Sequence, residues 1–199
     1  MTTEATELTP GARKILDAAA DLFYGRGITA VGVDLIAAEA GVTKKTLYDR
    51  FGSKDALVAA YLRERDERWR LWLTEHVMEG GEGSAYERVL RTFDALGAWM
   101  RSQNPRGCGF VNAAAELPDP QHPGRKVISE QKRWLRGYLR ELSEEAGARD
   151  ADRLADELVL LHEGATVLNG LHVVDDPVSA ARSLARSALE RAGCGAGRR

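Results

Sequence analysis

Apolar residues recur along this chain at three- and four-residue spacing in almost every segment, and no stretch alternates in the manner of a half-buried strand. The pattern predicts an all-α protein of about nine helices. Thr9-Pro10 provides a cap and a proline at the first helical position, and Ile15, Leu16, Ala19, Leu22 and Phe23 follow on one face until Gly25-Arg26-Gly27 ends the helix. A short helix is expected from about Val33 to Ala40, stopped by Gly41. A third runs from Lys44 to Asp49 behind Thr43, and a long fourth from near Ser53 to Met78. Residues 79–83 break the pattern. Ser84 and Glu87 then form a capping box for a fifth helix, which ends at 104–107. A short apolar piece, 108–117, precedes the proline-rich turn 118–124. The seventh helix carries Val127, Gln131, Trp134, Tyr138 and Leu142. The eighth spans about 150–174, and Asp176-Pro177 opens the ninth, which fades into a glycine-rich tail expected to fray.

Within this pattern, residues 33–51 stand apart. Two short helices flank a tight turn at Gly41-Val42, where glycine permits a positive backbone angle. Ile36, Ala37, Ala40, Val42 and Leu47 would form a miniature core whose small alanines let the helices cross closely. That core needs cover from the first helix and Phe51. The second of the two helices then turns Thr43, Lys44, Lys45, Thr46, Tyr48 and Asp49 outward.

Charge sharpens this reading. The net charge is only −2, so any affinity for nucleic acid must be local. Between Thr43 and Lys54 the cations Lys44, Lys45, Arg50 and Lys54 face Asp49 alone, a local excess of +3. By reach, Thr43, Lys44, Tyr48 and Lys54 suit phosphates, whereas Lys45, Thr46 and Asp49 suit base edges in the major groove. Such charges taken singly also describe an ordinary solvated surface. The turn glycine and the small-residue core are what favour a helix-turn-helix on double-stranded DNA.

Residues 13–57 resemble the N-terminal domain of the TetR family of bacterial regulators. The resemblance rests, in order, on Leu22-Phe23, Gly27, Ile36-Ala37, Gly41-Val42-Thr43, Leu47-Tyr48, Phe51 and Lys54. It implies an all-helical homodimer, usually a repressor that a ligand releases from DNA. An activator or a ligand-independent regulator of the same fold is the alternative. Two positions depart from the family pattern: Lys45 stands where a small residue is frequent, and Gly32 where Ser or Thr usually caps the second helix. The segment 107–116 is also similar to one found in many family members. The expected division is a DNA-binding domain over residues 1–55 and a ligand-binding and dimerisation domain over 56–199.

In the second domain, candidate ligand-binding residues are Trp69, Trp72, Phe93, Trp99, Phe110, Trp134, Tyr138, His162 and Asn169, an apolar and aromatic set with a few polar groups. An aromatic stripe at helical spacing equally describes plain core. The expected inducer is apolar or aromatic. The eighth helix bears two apolar stripes, Leu154, Leu158, Leu161, Ala165 and Leu168 against Leu160, Gly164, Val167, Leu171 and Val174, which implies burial against both its own core and a partner. Leu158, Leu161, Ala165 and Leu168, with Ala181, Ala185 and Ala188 of the ninth helix, are the expected dimer face. A two-fold dimer suits a pseudo-palindromic operator.

Other chemistries find little support. No phosphate loop, nucleophile elbow or zinc-type histidine pair occurs, so no enzyme, metal or cofactor is expected. Cys108 and Cys194 lie far apart without ligand spacing, which leaves a thiol switch open but favours packed or idle cysteines. No run reaches the ~20 apolar residues of a membrane span. The polar, acidic start lacks signal-peptide character, so a cytoplasmic protein is expected.

Overall fold

The computed structural model describes residues 8–79, 83–103 and 106–195. Residues 80–82 and 104–105 of the expected breaks, and 196–199 of the expected tail, lie outside them. The described residues form nine helices and no strand: α1 (Pro10–Arg26), α2 (Val33–Glu39), α3 (Lys44–Phe51), α4 (Lys54–Glu79), α5 (Ala85–Gln103), α6 (Gly109–Glu116), α7 (Pro123–Glu145), α8 (Ala151–Leu171) and α9 (Pro177–Ala192).

The capping signals act where the sequence places them. Thr43 Oγ1 accepts the backbone N–H of Thr46 at 3.1 Å, Ser84 Oγ that of Glu87 at 3.3 Å, and Asp176 that of Ser179 at 3.0 Å. Each satisfies a donor that the first helical turn leaves without a carbonyl. α2 starts behind Gly32 with no side-chain cap. Two boundaries differ from expectation. α3 continues to Phe51, because Gly52 at φ 75° closes the helix there with its N–H on the Tyr48 carbonyl. α8 stops at Leu171 rather than 174, because His172 takes a left-handed conformation at φ 54° and starts the turn into Asp176-Pro177.

The chain divides into two compact units, residues 1–65 with 110–128, and 66–109 with 129–199. In the first, α1, α2 and α3 form a three-helix head. Ile15, Ala19, Ile36 and Leu47 are its wholly buried centre, Ala37 and Ala40 are buried, and Val42 and Phe51 are half-buried at its edge. Gly41 has φ 64° and nothing within 4 Å of a would-be Cβ, so its role is conformational rather than steric. The unit extends past the head to the start of α4, where Tyr61 meets the ring of Phe23 at 5.8 Å, and to α6, which buries Phe110 and Ala113.

In the second unit, one apolar core joins α4, α5, α7, α8 and α9. Leu158, Ala165, Ala181, Ala185 and Ala188 are buried inside the chain itself, with Leu161 half-buried and only Leu168 exposed. The small residues of α9 do permit close approach, but to α8 and α5 of the same subunit. The stripe left facing outward is the other one: Leu160 is 72% exposed, Leu171 64%, and Val167 40%, with Leu184 of α9 at 57%.

Candidate functional site

Helix α3 presents the outward set as its sequence implies. Thr43, Lys44, Lys45, Tyr48, Asp49 and Arg50 are exposed, Thr46 is half-buried, and Leu47 points wholly into the head. The first turn therefore offers free backbone amides and ammonium groups on one surface, the arrangement that favours phosphate.

Three of the four cations of this segment, Lys44, Lys45 and Lys54, already have partners. Lys44 Nζ lies 3.0 Å from the carboxylate of Asp34 on α2, which through the hydrogen bond first and charge attraction second holds the ammonium above its ordinary pKa. Lys45 Nζ lies 2.7 Å from Asp49 one turn on. Lys54, half-buried, donates to the Ile28 carbonyl at 2.7 Å. Four cations against one acid thus become four against two once Asp34 is drawn in. Thr43 Oγ1 is occupied as the cap of α3 and stands 2.9 Å from Thr46 Oγ1. Residues that sequence reasoning missed are Asp34 and Glu116. Asp34 lies ten positions before its partner, beyond the i,i+4 spacing that reveals ion pairs on one helix.

Glu116 closes α6, and its carboxylate accepts the Thr29 N–H at 2.7 Å. That N–H and the carbonyl held by Lys54 belong to the same peptide unit, Ile28–Thr29. Gly27, at φ 91°, makes room for the contact: a Cβ there would lie 3.1 Å from both carboxylate oxygens. In the same unit His122 Nδ1 accepts the Gly124 N–H at 3.0 Å, and its Nε2 lies 3.3 Å from Asp55 in the first turn of α4.

Eight of the nine candidate ligand residues belong to the second unit and one, Phe110, to the first. Phe110 is buried in the first unit. In the second, Trp69 and Trp72 both meet Trp99, at 5.4 and 5.7 Å; Trp72 also stacks on His76 and donates Nε1–H to the Ala95 carbonyl at 3.1 Å. Trp134 and Tyr138 stack 5.5 Å apart, with the Arg70 guanidinium 4.8 Å over the indole. Asn169 is half-buried on α8. The aromatics mainly fill core.

His162 differs from the rest, because it neither faces water nor packs as an apolar residue. It is 1% exposed, its ring lies 4.2 Å from that of Phe93, and its Nε2 lies 3.0 Å from Thr92 Oγ1. The single Thr92 hydroxyl proton goes to the Val89 carbonyl at 2.7 Å, so Thr92 accepts and His162 Nε2 donates. Burial first, and the Lys132 charge second, hold the imidazole down to about 3, so it is neutral at pH 7. Its Nδ1 is a buried lone pair without a donor, as is Oε1 of Gln131 on α7. A buried acceptor left so costs about 1–3 kcal/mol. Beside them Lys132 Nζ lies 2.7 Å from Glu163 and 3.5 Å from Cys108 Sγ. Burial pushes this ammonium down, but Cys108 and Glu163 outweigh it and the net direction is upward. Cys194 is buried. Among the described residues no group of three or more His, Cys, Asp or Glu side chains could hold a metal ion.

A sequence model described as "Bacterial regulatory proteins, tetR family" matches residues 15–61, which hold most of the three-helix head, and one described as "Tetracyclin repressor-like, C-terminal domain" matches residues 85–185. The chain belongs to the TetR family. It is a DNA-binding transcriptional regulator and not an enzyme. The structure of SCO4454, a TetR-family transcriptional regulator from Streptomyces coelicolor, is similar at a TM-score of 0.84, with 31% identity over 92% of this chain and 95% of that one. HTH-type transcriptional regulator YjdC of Escherichia coli is 23% identical over 90% of this chain and 94% of its own length. HTH-type transcriptional repressor NemR of Escherichia coli is 28% identical over 57% of each. Among the described residues no helix of this TetR-family chain is long and apolar enough to cross a membrane.

Proposed function

We propose that this chain is a cytoplasmic, homodimeric repressor, released from a pseudo-palindromic operator by a small apolar or aromatic molecule. In this reading residues 1–55 read DNA, while residues 56–199 bind the ligand and pair the subunits. The observation that carries it is the exposed first turn of α3, held on a compact head with Lys44, Lys45 and the free amides on one surface. Lys44, Tyr48, Lys54 and the Thr43 hydroxyl contact phosphates. Lys45, Thr46 and Asp49 meet base edges, Lys45 donating and Asp49 accepting once their mutual ion pair opens.

Dimerisation uses the outward stripe Leu160, Val167 and Leu171 with Leu184. A shallow groove between Leu160, Leu161, Leu184 and Ala188 adjoins it. Apolar residues of this size on one exposed face are rare without a partner. Repression accords with the name of the NemR relative and with the family tendency. Release is a population shift: the ligand favours a dimer whose two recognition helices are wrongly spaced for successive major grooves.

The test uses an operator selected from a random duplex library. Exchanging Lys44 and Lys45 together for alanine lowers affinity and flattens the dependence of log K on log salt by roughly one, since the Lys44 phosphate contact contributes about 0.9 to the slope. Unchanged binding and slope refute the assignment of α3. A compound that raises the melting temperature while lowering operator affinity supports induction, and one that tightens operator binding refutes it.

A further inference from the structure

Lys44 Nζ lies 3.0 Å from each carboxylate oxygen of Asp34, so the ammonium is held head-on between α3 and α2. Among the described residues neither group has a second hydrogen-bond partner, and the Asp34 side chain is 77% exposed. We infer that Asp34 is a positioning residue that withholds Lys44 from DNA: the pair opens when α3 docks on a duplex, and the carboxylate keeps affinity below what the cations of the head would reach without it. This rests on the reading that α3 meets the duplex.

The two ion pairs of this surface differ in what their acids do next. Asp49 sits on α3 itself, so a base amine can replace Lys45 as its partner. Asp34 sits on α2, and the first helix of a helix-turn-helix crosses the phosphate backbone rather than entering the groove. Phosphates offer a carboxylate no donor. Once Lys44 leaves, Asp34 is an uncompensated negative charge beside a polyanion, and this offsets part of what Lys44 gains. An acid in the first turn of α2, a helix without a side-chain cap, also has a structural reading, because it complements the positive end of that helix. The two readings predict opposite signs. Removing the charge weakens the DNA complex if the role is structural, and strengthens it if Asp34 competes for Lys44.

Fluorescence anisotropy with the full chain, over a range of potassium chloride concentrations, decides between them on two probes: the selected operator and a duplex pool of random sequence. Asp34→Asn, which keeps the size of the side chain, is expected to bind both about two- to five-fold tighter, the factor carried by an exposed ion pair. Its log K also falls more steeply with log salt, by up to about 0.9, because the head then brings one more net positive charge to the phosphates. The gain runs through Lys44. In a Lys44→Ala chain the same exchange gives a smaller gain, whereas in an Arg50→Ala chain, which lacks a different exposed cation of α3, it gives the full one. An equal gain with and without Lys44 overturns the proposal, since the carboxylate then acts by plain repulsion. A larger gain without Lys44 also overturns it, because Lys44 then bridges carboxylate and phosphate. So does weaker binding by Asp34→Asn, which leaves the structural role. Two outcomes separate this proposal from the broader reading. If Lys44→Ala weakens binding and flattens the slope while Asp34→Asn changes neither, α3 still meets DNA and only the competition fails. If Lys44→Ala changes nothing, the assignment of Lys44 to phosphate fails and the competition with it.

Discussion

The carboxylate of Glu116 holds the backbone N–H of Thr29 at 2.7 Å, across 87 residues of sequence. On the other side of the same peptide unit, Lys54 holds the Ile28 carbonyl at 2.7 Å. The loop between α1 and α2 is thereby fixed by α6 and by the first turn of α4. The second helix of the head starts three residues further on behind Gly32, without a side-chain cap of its own.

Removing the carboxylate at this point should loosen the loop more than it destabilises the fold. Glu116→Ala is expected to cost about 1 kcal/mol, the net value of one hydrogen bond, and to speed hydrogen exchange at the Thr29 amide. Glu116→Gln, which still accepts, restores most of the protection. Unaltered exchange in the alanine variant would show that the contact does not hold the loop in solution.

His162 makes stability depend on pH. Its imidazole is held down to about 3 in the folded chain, against an ordinary value near 6.5. Between those limits the unfolded chain takes up a proton that the folded chain refuses, so the contribution is complete above about pH 6.5 and is lost as pH falls toward 3. The expected slope from this group is roughly 1 kcal/mol per pH unit in that window. Urea midpoints measured from pH 7.5 to 4.5 in the native chain and in His162→Gln test it: the native chain should lose stability relative to the variant as pH falls, and the difference between the two should stay constant above pH 7. In Thr92→Val the imidazole N–H loses its acceptor, which should lower stability by about 1–3 kcal/mol at pH 7.5.

The two stripes of α8 make opposite predictions. Leu160→Glu with Leu184→Glu places charge on residues that are 72% and 57% exposed, so the fold survives while the proposed dimer dissociates and operator affinity falls. Ala185→Glu forces a carboxylate into a wholly buried site and should unfold the second unit. Sedimentation and circular dichroism distinguish the two results. A Leu160/Leu184 double variant that remains dimeric would move the interface elsewhere.

Local signals carried most of the fold. Thr43, Ser84 and Asp176 are read correctly as caps because a cap involves residues only three apart. The two stripes of α8 are equally plain in the periodicity, but period alone does not say which stripe meets the chain's own core. Alanines 181, 185 and 188 suit close approach to any helix, and burial within the chain is what the sequence pattern does not show. The site is less legible for the same reason. Thr92 and His162 are 70 residues apart, Lys44 and Asp34 lie on different helices, and Glu116 reaches a backbone atom that leaves no mark on side-chain pattern.

The ion pairs that Lys44 and Lys45 make with Asp34 and Asp49 bear on how this regulator searches a chromosome. If α3 meets DNA as proposed, a duplex of arbitrary sequence must displace these carboxylates before it gains the ammonium groups, and it releases fewer small cations in doing so. Residence on the vast excess of unrelated sites is shortened accordingly, and only an operator whose bases also engage the exposed turn holds the head for long. A head that brings its own counter-charge gives up grip everywhere in order to stand out at one address.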